Sequence, residues 1–155
     1  MRRSSWLSLV LCLLTLGMAG CSGSPPDNLG VVNGRLAPCP DTPNCVSSQE
    51  DDDVHGMEPI EHDGSMEEAQ ALIREILEEM PRVTVVHEQP GYIRAEARSR
   101  IFRFVDDLEF YFDPEAGQIH YRSAARLGRS DLGVNRDRMV RILDEFYRRA
   151  PSLQE

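Results

Sequence analysis

Apolar positions recur along this chain with two different periods, and the places where the period changes mark its elements. Ala69, Leu72, Ile73, Ile76, Leu77 and Met80 fall on one helical stripe. Ser65, with Glu68 three residues on, forms a capping box ahead of the stripe, and Pro81 closes it. A period of two follows. Val83 to His87 and Tyr92 to Ser99 flank a Pro90-Gly91 turn, and Ile93, Ala95 and Ala97 alternate with Arg94, Glu96 and Arg98. The run Phe102 to Phe112 puts Leu108, Phe110 and Phe112 on one side and Asp107, Glu109 and Tyr111 on the other. A loop over 113–117 returns the chain as Gln118 to Ala124, with Ile119 and Tyr121 inward and His120 and Arg122 outward. A last helix is predicted from about Asn135 to Ala150 on the stripe Met139, Ile142, Leu143 and Phe146, closed by Pro151. Strands joined by short turns are antiparallel neighbours, and two amphipathic helices need one apolar face to cover. The pattern therefore predicts an α+β domain in two layers: a four-stranded antiparallel sheet flanked by an N-terminal and a C-terminal helix. Residues 36–64 ahead of it show no regular period.

The first 35 residues follow neither period. Arg2 and Arg3 precede an almost uncharged run from Trp6 to Leu16, then Gly17-Met18-Ala19-Gly20-Cys21. A basic start, a short apolar stretch and small residues describe a secretory signal, too short to span a bilayer comfortably. Cysteine directly after Ala-Gly resembles the bacterial lipobox. There the thiol is diacylated, the signal is cleaved before it and the new amino terminus is acylated, because a single acyl chain holds a protein only marginally. The competing reading is an ordinary signal or an uncleaved anchor. The expected organisation is a signal peptide over 1–20, lipidated Cys21 with a flexible linker to residue 35, and a single domain over 36–150. Ser22 stands where Asp commonly directs inner-membrane retention, which points to the outer membrane, facing the periplasm. The lipid bilayer is thus the first expected partner.

Of four cysteines, Cys12 leaves with the signal and Cys21 carries lipid, which leaves Cys39 and Cys45 with Pro-Asp-Thr-Pro-Asn between them. Outside the cytoplasm such a pair forms a disulfide that closes the irregular segment. A redox pair, half a metal site and free thiols are the alternatives. Loop-closure entropy gives so short a loop about 2 kcal/mol, so the bridge would pin a turn rather than the fold.

Composition adds an acidic balance. Removing Arg2 and Arg3 leaves 15 basic residues, all arginine, against 26 acidic ones, a net charge of −11 for the mature chain. That speaks against nucleic acid and against adhesion to anionic headgroups.

Several motifs in order carry a family resemblance. Leu36-Ala37-Pro38-Cys39-Pro40, Pro43-Asn44-Cys45-Val46-Ser47-Ser48 and His55 ahead of Pro59-Ile60 form a front signature. Phe104-Val105-Asp106-Asp107 follows, and Arg122 to Gly128 with Ser130 to Arg136 and Arg138 forms a rear one. Across residues 36–148 the chain resembles the domain-of-unknown-function family 1499, often found as a bacterial lipoprotein. Ala125 stands where members often have serine. The resemblance implies no activity, cofactor or catalytic residue.

Candidate chemistry must then come from the residues. Arg94, Glu96, Arg98, Asp107, Glu109, His120 and Arg122 share the outward sheet face. They read either as cross-strand ion pairs on a solvated surface or as an open platform on which Asp107 and Glu109 do acid–base work. His55 and His62 with Asp51, Asp52 and Asp53 have no recognised ligand spacing, and no metal or other cofactor is expected. The sharpest candidate is an anion site built from Arg122, Arg126, Ser130, Asn135, Arg136 and Arg138. Gly128 and Gly133 would bring backbone amides together there, and Asn135 would cap the last helix. The opposing reading has Asp131, Asp106 and Asp107 simply locking these arginines. Two functions stay open: a noncatalytic envelope module that binds a small anion or an envelope protein, and an envelope enzyme acting on an anionic substrate through the sheet face and the arginine-rich loop.

Overall fold

The computed structural model describes residues 23–150; Cys21 and the predicted signal lie outside the described residues. The order is β1 (Cys45–Ser47), β2 (Ile60–Glu61), α1 (Met66–Glu79), β3 (Val83–Gln89), β4 (Tyr92–Arg98), β5 (Val105–Asp113), β6 (Gln118–Ala125) and α2 (Val134–Arg149). The sheet runs β1-β6-β5-β4-β3, all antiparallel, with β2 also pairing with β6. It therefore has six strands rather than four. The two additional ones are too short to show a period, and they come from the segment without regular structure in the sequence.

Both helices cover one face. Ile93, Leu108, Phe110, Ile119 and Tyr121 from the strands meet Ile73, Leu77, Met139, Ile142 and Phe146 from the helices, all fully buried. Ser65 caps α1 by accepting from the Glu68 amide at 3.3 Å. Truncating Phe110 in such a core costs about 3–5 kcal/mol. Cys39 and Cys45 are joined, with 5.7 Å between their Cα atoms. The bridge holds the entry to β1 against β6, where Cys45 lies opposite Ala124.

Three expectations change. The fourth long strand begins at Val105 instead of Phe102, and Phe102 and Phe104 stand exposed in the β4–β5 loop. The cap of α2 is Gly133, at φ 82°, and Asn135 is wholly buried. Finally, residues 23–35 are not a loose linker. They fold into a strap over the outward face of the sheet, turning back at Asn33 and Gly34, both in the left-handed region at φ 53° and 75°. Val32 and Arg35 exchange two backbone hydrogen bonds there, at 2.8 and 3.1 Å. Two consecutive positive φ values are what an Asn-Gly pair supplies in a two-residue hairpin turn. The Gly30 amide donates to Glu109 Oε1 at 2.7 Å, and Leu36 is buried.

Candidate functional site

The strap changes the meaning of the polar sheet face. Strand register sets Arg94, Glu109 and Arg122 in one row across β4, β5 and β6, and Glu96 beside Asp107 in the next. Glu109 and Asp107 are almost completely buried. Carboxylates taken out of water need full sets of donors, and these have them. Asp107 is gripped bidentately by Arg126, at 2.7 Å for both bonds, and Arg126 also reaches Glu96 at 2.5 Å. The Asp107 hydrogen bond, with Glu96, raises the Arg126 pKa well above its ordinary value. Glu109 accepts from Tyr92 Oη at 2.7 Å and from the Gly30 amide, and Arg122 stands at 3.5 Å. Burial, followed by the Glu109 charge, pushes the Tyr92 phenol far up, so it stays a donor. His120 stacks on Tyr111 and is held below its usual pKa by burial. Asp107, His120, Arg122 and Arg126 line none of the five best-formed clefts among the described residues. This face is a covered ion-pair network rather than an open platform.

A second buried network lies on the helix side. Arg138 donates to Asp106 at 2.6 Å and to Asn135 Oδ1 at 2.6 Å, and Ser123 Oγ donates to the same Asn135 oxygen at 2.5 Å. Burial raises the Asp106 pKa, against the opposing charge of Arg138. Asp131 occupies the start of α2, accepting from the amides of Gly133 and Asn135 at 3.0 and 2.7 Å. That places a carboxylate where an external anion would sit. Arg136 donates to the carbonyl oxygens of Gly56 and Val54, and Ser130 accepts from the Leu132 amide. Thus the six residues singled out as an anion site do not surround one point. Arg122 and Arg126 lie on the strap side of the sheet and Asn135 and Arg138 on the helix side. Arg136 holds the irregular segment.

The histidines are likewise separate. His55 Nδ1 lies 3.0 Å from Asp52, whereas His62 is buried, its Nε2 3.0 Å from the Ser65 carbonyl oxygen. Among the described residues no group of three or more His, Cys, Asp or Glu is placed to hold a metal ion.

The arrangement best suited to an anion joins Arg138, already among the sequence candidates, to arginines the sequence pattern did not group with it. A cleft of about 300 Å³ opens between the C-terminal end of α1, the paired ends of β3 and β4, and the first turns of α2. Arg82, Arg98, Arg100, Arg138 and Arg141 line it, with Asp106 as its one carboxylate. Each arrives for a local reason. Pro81 stops α1, and Arg82, at φ 63°, turns the chain into β3. A side-chain-bearing residue holds that conformation at a cost of about 1 kcal/mol. The β3–β4 pairing sets Val83 opposite Ala97, so the Arg98 amide donates to the Arg82 carbonyl oxygen at 2.9 Å. Arg138 and Arg141 lie three apart on one side of α2.

Three of the five are engaged: Arg98 with Glu96 at 2.8 Å, Arg138 with Asp106, and Arg141 with the Asp137 carbonyl oxygen. Arg82 and Arg100, both exposed, have no side-chain hydrogen bond or ion pair among the described residues. Hairpin arithmetic would have found them. Counting outward from Pro90-Gly91 brings residue 82 beside residue 99, and a register shift between Val85 and His87 moves that neighbour to residue 98.

A family model described as "Protein of unknown function (DUF1499)" matches residues 35–146, which span the side chains of both networks and the whole cleft. No curated protein and no solved structure matches the chain. The matched region runs from the strap's return through nearly all of α2, and the chain belongs to the DUF1499 family.

Proposed function

We propose that the protein is a lipid-anchored lipoprotein of the cell envelope, tethered through acylated Cys21 to the periplasmic face of the outer membrane. It works as a noncatalytic binding module that takes a small phosphate- or carboxylate-bearing ligand into the arginine cleft. One observation carries the binding half: Arg82 and Arg100 stand without partners among the described residues, in a cleft rich in arginine. Planar guanidinium groups bind such anions through paired, charge-assisted hydrogen bonds. The buried carboxylates support the noncatalytic half. Asp107 and Glu109, the acid–base candidates, are covered and fully engaged. The signal pattern and Ala19-Gly20-Cys21 support the tether.

The two halves are tested separately. Cys21→Ser should move the protein from the detergent phase to the aqueous phase; unchanged partition would refute the tether. Inorganic phosphate should raise the melting temperature of the wild type and leave that of the Arg82→Ala/Arg100→Ala double variant unmoved. The double variant alone should lie within about 0.5 kcal/mol of the wild type, as surface changes do. An equal phosphate response in both proteins, or none in either, would remove the cleft as the binding site.

A further inference from the structure

One end of the sheet gathers features that belong together on a membrane-facing surface. Antiparallel pairing sets the end of β4 beside the start of β5 and the end of β6, through Arg98 opposite Val105 and Asp106 opposite Ala125. The β4–β5 loop over 99–104 and the β6–α2 loop over 126–133 therefore project from the same end. Both carry large apolar side chains into solvent. Leu132 is 92% exposed, Ile101 78% and Phe102 71%, with Phe104, Leu127 and Val134 also exposed. Phe102 and Phe104 stack on each other at 5.6 Å, and both remain exposed. Single exposed apolar residues are ordinary, but five on two adjoining loops, with Val134 beside them at the start of α2, are not.

The charge of this end is opposite to that of the chain. Arg82, Arg98, Arg100, Arg103, Arg129 and Arg141 belong to it. Of its carboxylates, Glu96 is engaged by Arg126 and Arg98, Asp106 by Arg138, and Asp131 by the amides that begin α2, while Asp137 in the first turn of α2 is exposed, so the arginines still outnumber the open carboxylates. The net acidity of the mature chain is therefore not the sign of the surface that matters.

The chain also enters here. The Gly23 carbonyl oxygen accepts from Arg126 at 3.4 Å, and the Gly23 backbone lies against the Arg126 and Leu127 side chains. Cys21 is two residues further, a reach of at most about 7 Å. A lipid attached there would enter the bilayer directly beside the two loops.

We infer that this end of the molecule docks on the bilayer: Ile101, Phe102, Phe104 and Leu132 enter the interface, and the surrounding arginines contact anionic phospholipid headgroups. This inference rests on the tether at Cys21. Aromatic and aliphatic side chains enter the headgroup–acyl boundary, and arginines near an anionic leaflet add electrostatic attraction. The tether supplies the local concentration, so the loops need little affinity of their own. Docking would hold the domain with its arginine cleft at the headgroup level, instead of leaving it to swing on a chain.

The experiment uses the natural lipidated protein with Phe102→Trp, purified and reconstituted in vesicles of phosphatidylglycerol and phosphatidylethanolamine. The chain's one tryptophan, Trp6, lies in the predicted signal, so the new indole is the sole reporter; Leu132→Trp supplies a second, independent one. Mass spectrometry of the N-terminal peptide reads the lipid on Cys21 separately. The expected result is blue-shifted emission from both reporters, quenched by bromine in the lipid acyl chains. That quenching should weaken when phosphatidylcholine replaces the anionic lipid. Lipidated protein whose indoles emit as in water and escape quenching would overturn docking while leaving the tether intact. Blue-shifted emission without bromine quenching would show a second copy or another protein on this surface, and would equally overturn it. A Cys21 peptide without lipid would overturn the tether, and docking with it.

Discussion

Arg126 and Arg100 serve the same end of the sheet, yet one is buried between two carboxylates and the other reaches into a cleft with no partner among the described residues. The difference lies in strand parity and cover. Arg126 continues the outward face of β6, where Asp107 and Glu96 wait in register beneath the strap. Arg100 lies past the end of β4, where pairing has stopped. Both regions are rich in arginine, but only the second has binding capacity to spare. Counting arginines in a sequence does not locate a site; the unengaged ones have to be found.

The largest expected effect tests the buried side of this comparison. Arg126→Ala leaves Asp107 and Glu96 without their main cation, and removing one partner of a buried pair costs about 3–5 kcal/mol. Urea unfolding should show that loss as a lower midpoint. A variant as stable as the wild type would mean the face is far wetter than its burial indicates, and the contrast with Arg100 would collapse. The sequence alone leaves two expectations for Arg126: a ligand-binding residue whose removal barely moves the melting temperature, or one locked to the sheet by acidic neighbours. The bonds to Asp107 and Glu96 beneath the strap favour the second, as a buried ion pair rather than a solvated one.

A smaller effect sharpens the same contrast. Tyr92→Phe removes one donor from fully buried Glu109 and leaves the Gly30 amide and Arg122. A buried acceptor that loses one of its bonds costs about 1–3 kcal/mol. The strap should also loosen, because Gly30 and Tyr92 donate to the same carboxylate oxygen. Faster hydrogen exchange of the Gly30 amide, without a change in the α1 amides, would separate this local effect from global unfolding. Equal acceleration everywhere would show that the strap and core open together.

What the sequence made legible follows from periodicity. Both helices, the four long strands and their inward faces were readable, because each buries one side against a continuous core. The two short strands were not, since two or three residues cannot display a period of two. The strap was missed for a different reason. Gly, Ser, Pro and Asn within 22–35 look like a spacer, although Asn33-Gly34 between Val32 and Arg35 is a hairpin signal in its own right. Once the strap is overlooked, Glu109 and Asp107 appear solvated and the polar face appears functional. The cleft escaped because its arginines come from three separated stretches, at 82, 98–100 and 138–141, which only tertiary pairing joins.

Between the buried and the unpartnered arginines stands a third kind, paired yet partly open to solvent, and it predicts the smallest effect. Glu145 accepts from Arg148 at 2.8 Å and from Arg149 at 2.5 Å on the last turns of α2, and Arg149 also pairs with Glu79. The bonds from Arg148, then Arg149, hold the Glu145 pKa down to about 2, against an ordinary value of 4.5. A depressed carboxylate stabilises the fold above its ordinary pKa and loses that contribution as pH falls toward the folded value. Glu145→Gln should therefore melt slightly below the wild type at neutral pH, with the gap closing as pH falls from about 4.5 toward 2. Because solvent reaches these side chains, the gap should also shrink in about 1 M salt, where the Debye length falls to about 3 Å. The Arg126→Ala deficit should persist in the same salt, since its charges are out of the solvent. Salt that erased both deficits equally would place Arg126 with the surface pairs; salt that spared both would show that Glu145 acts through packing.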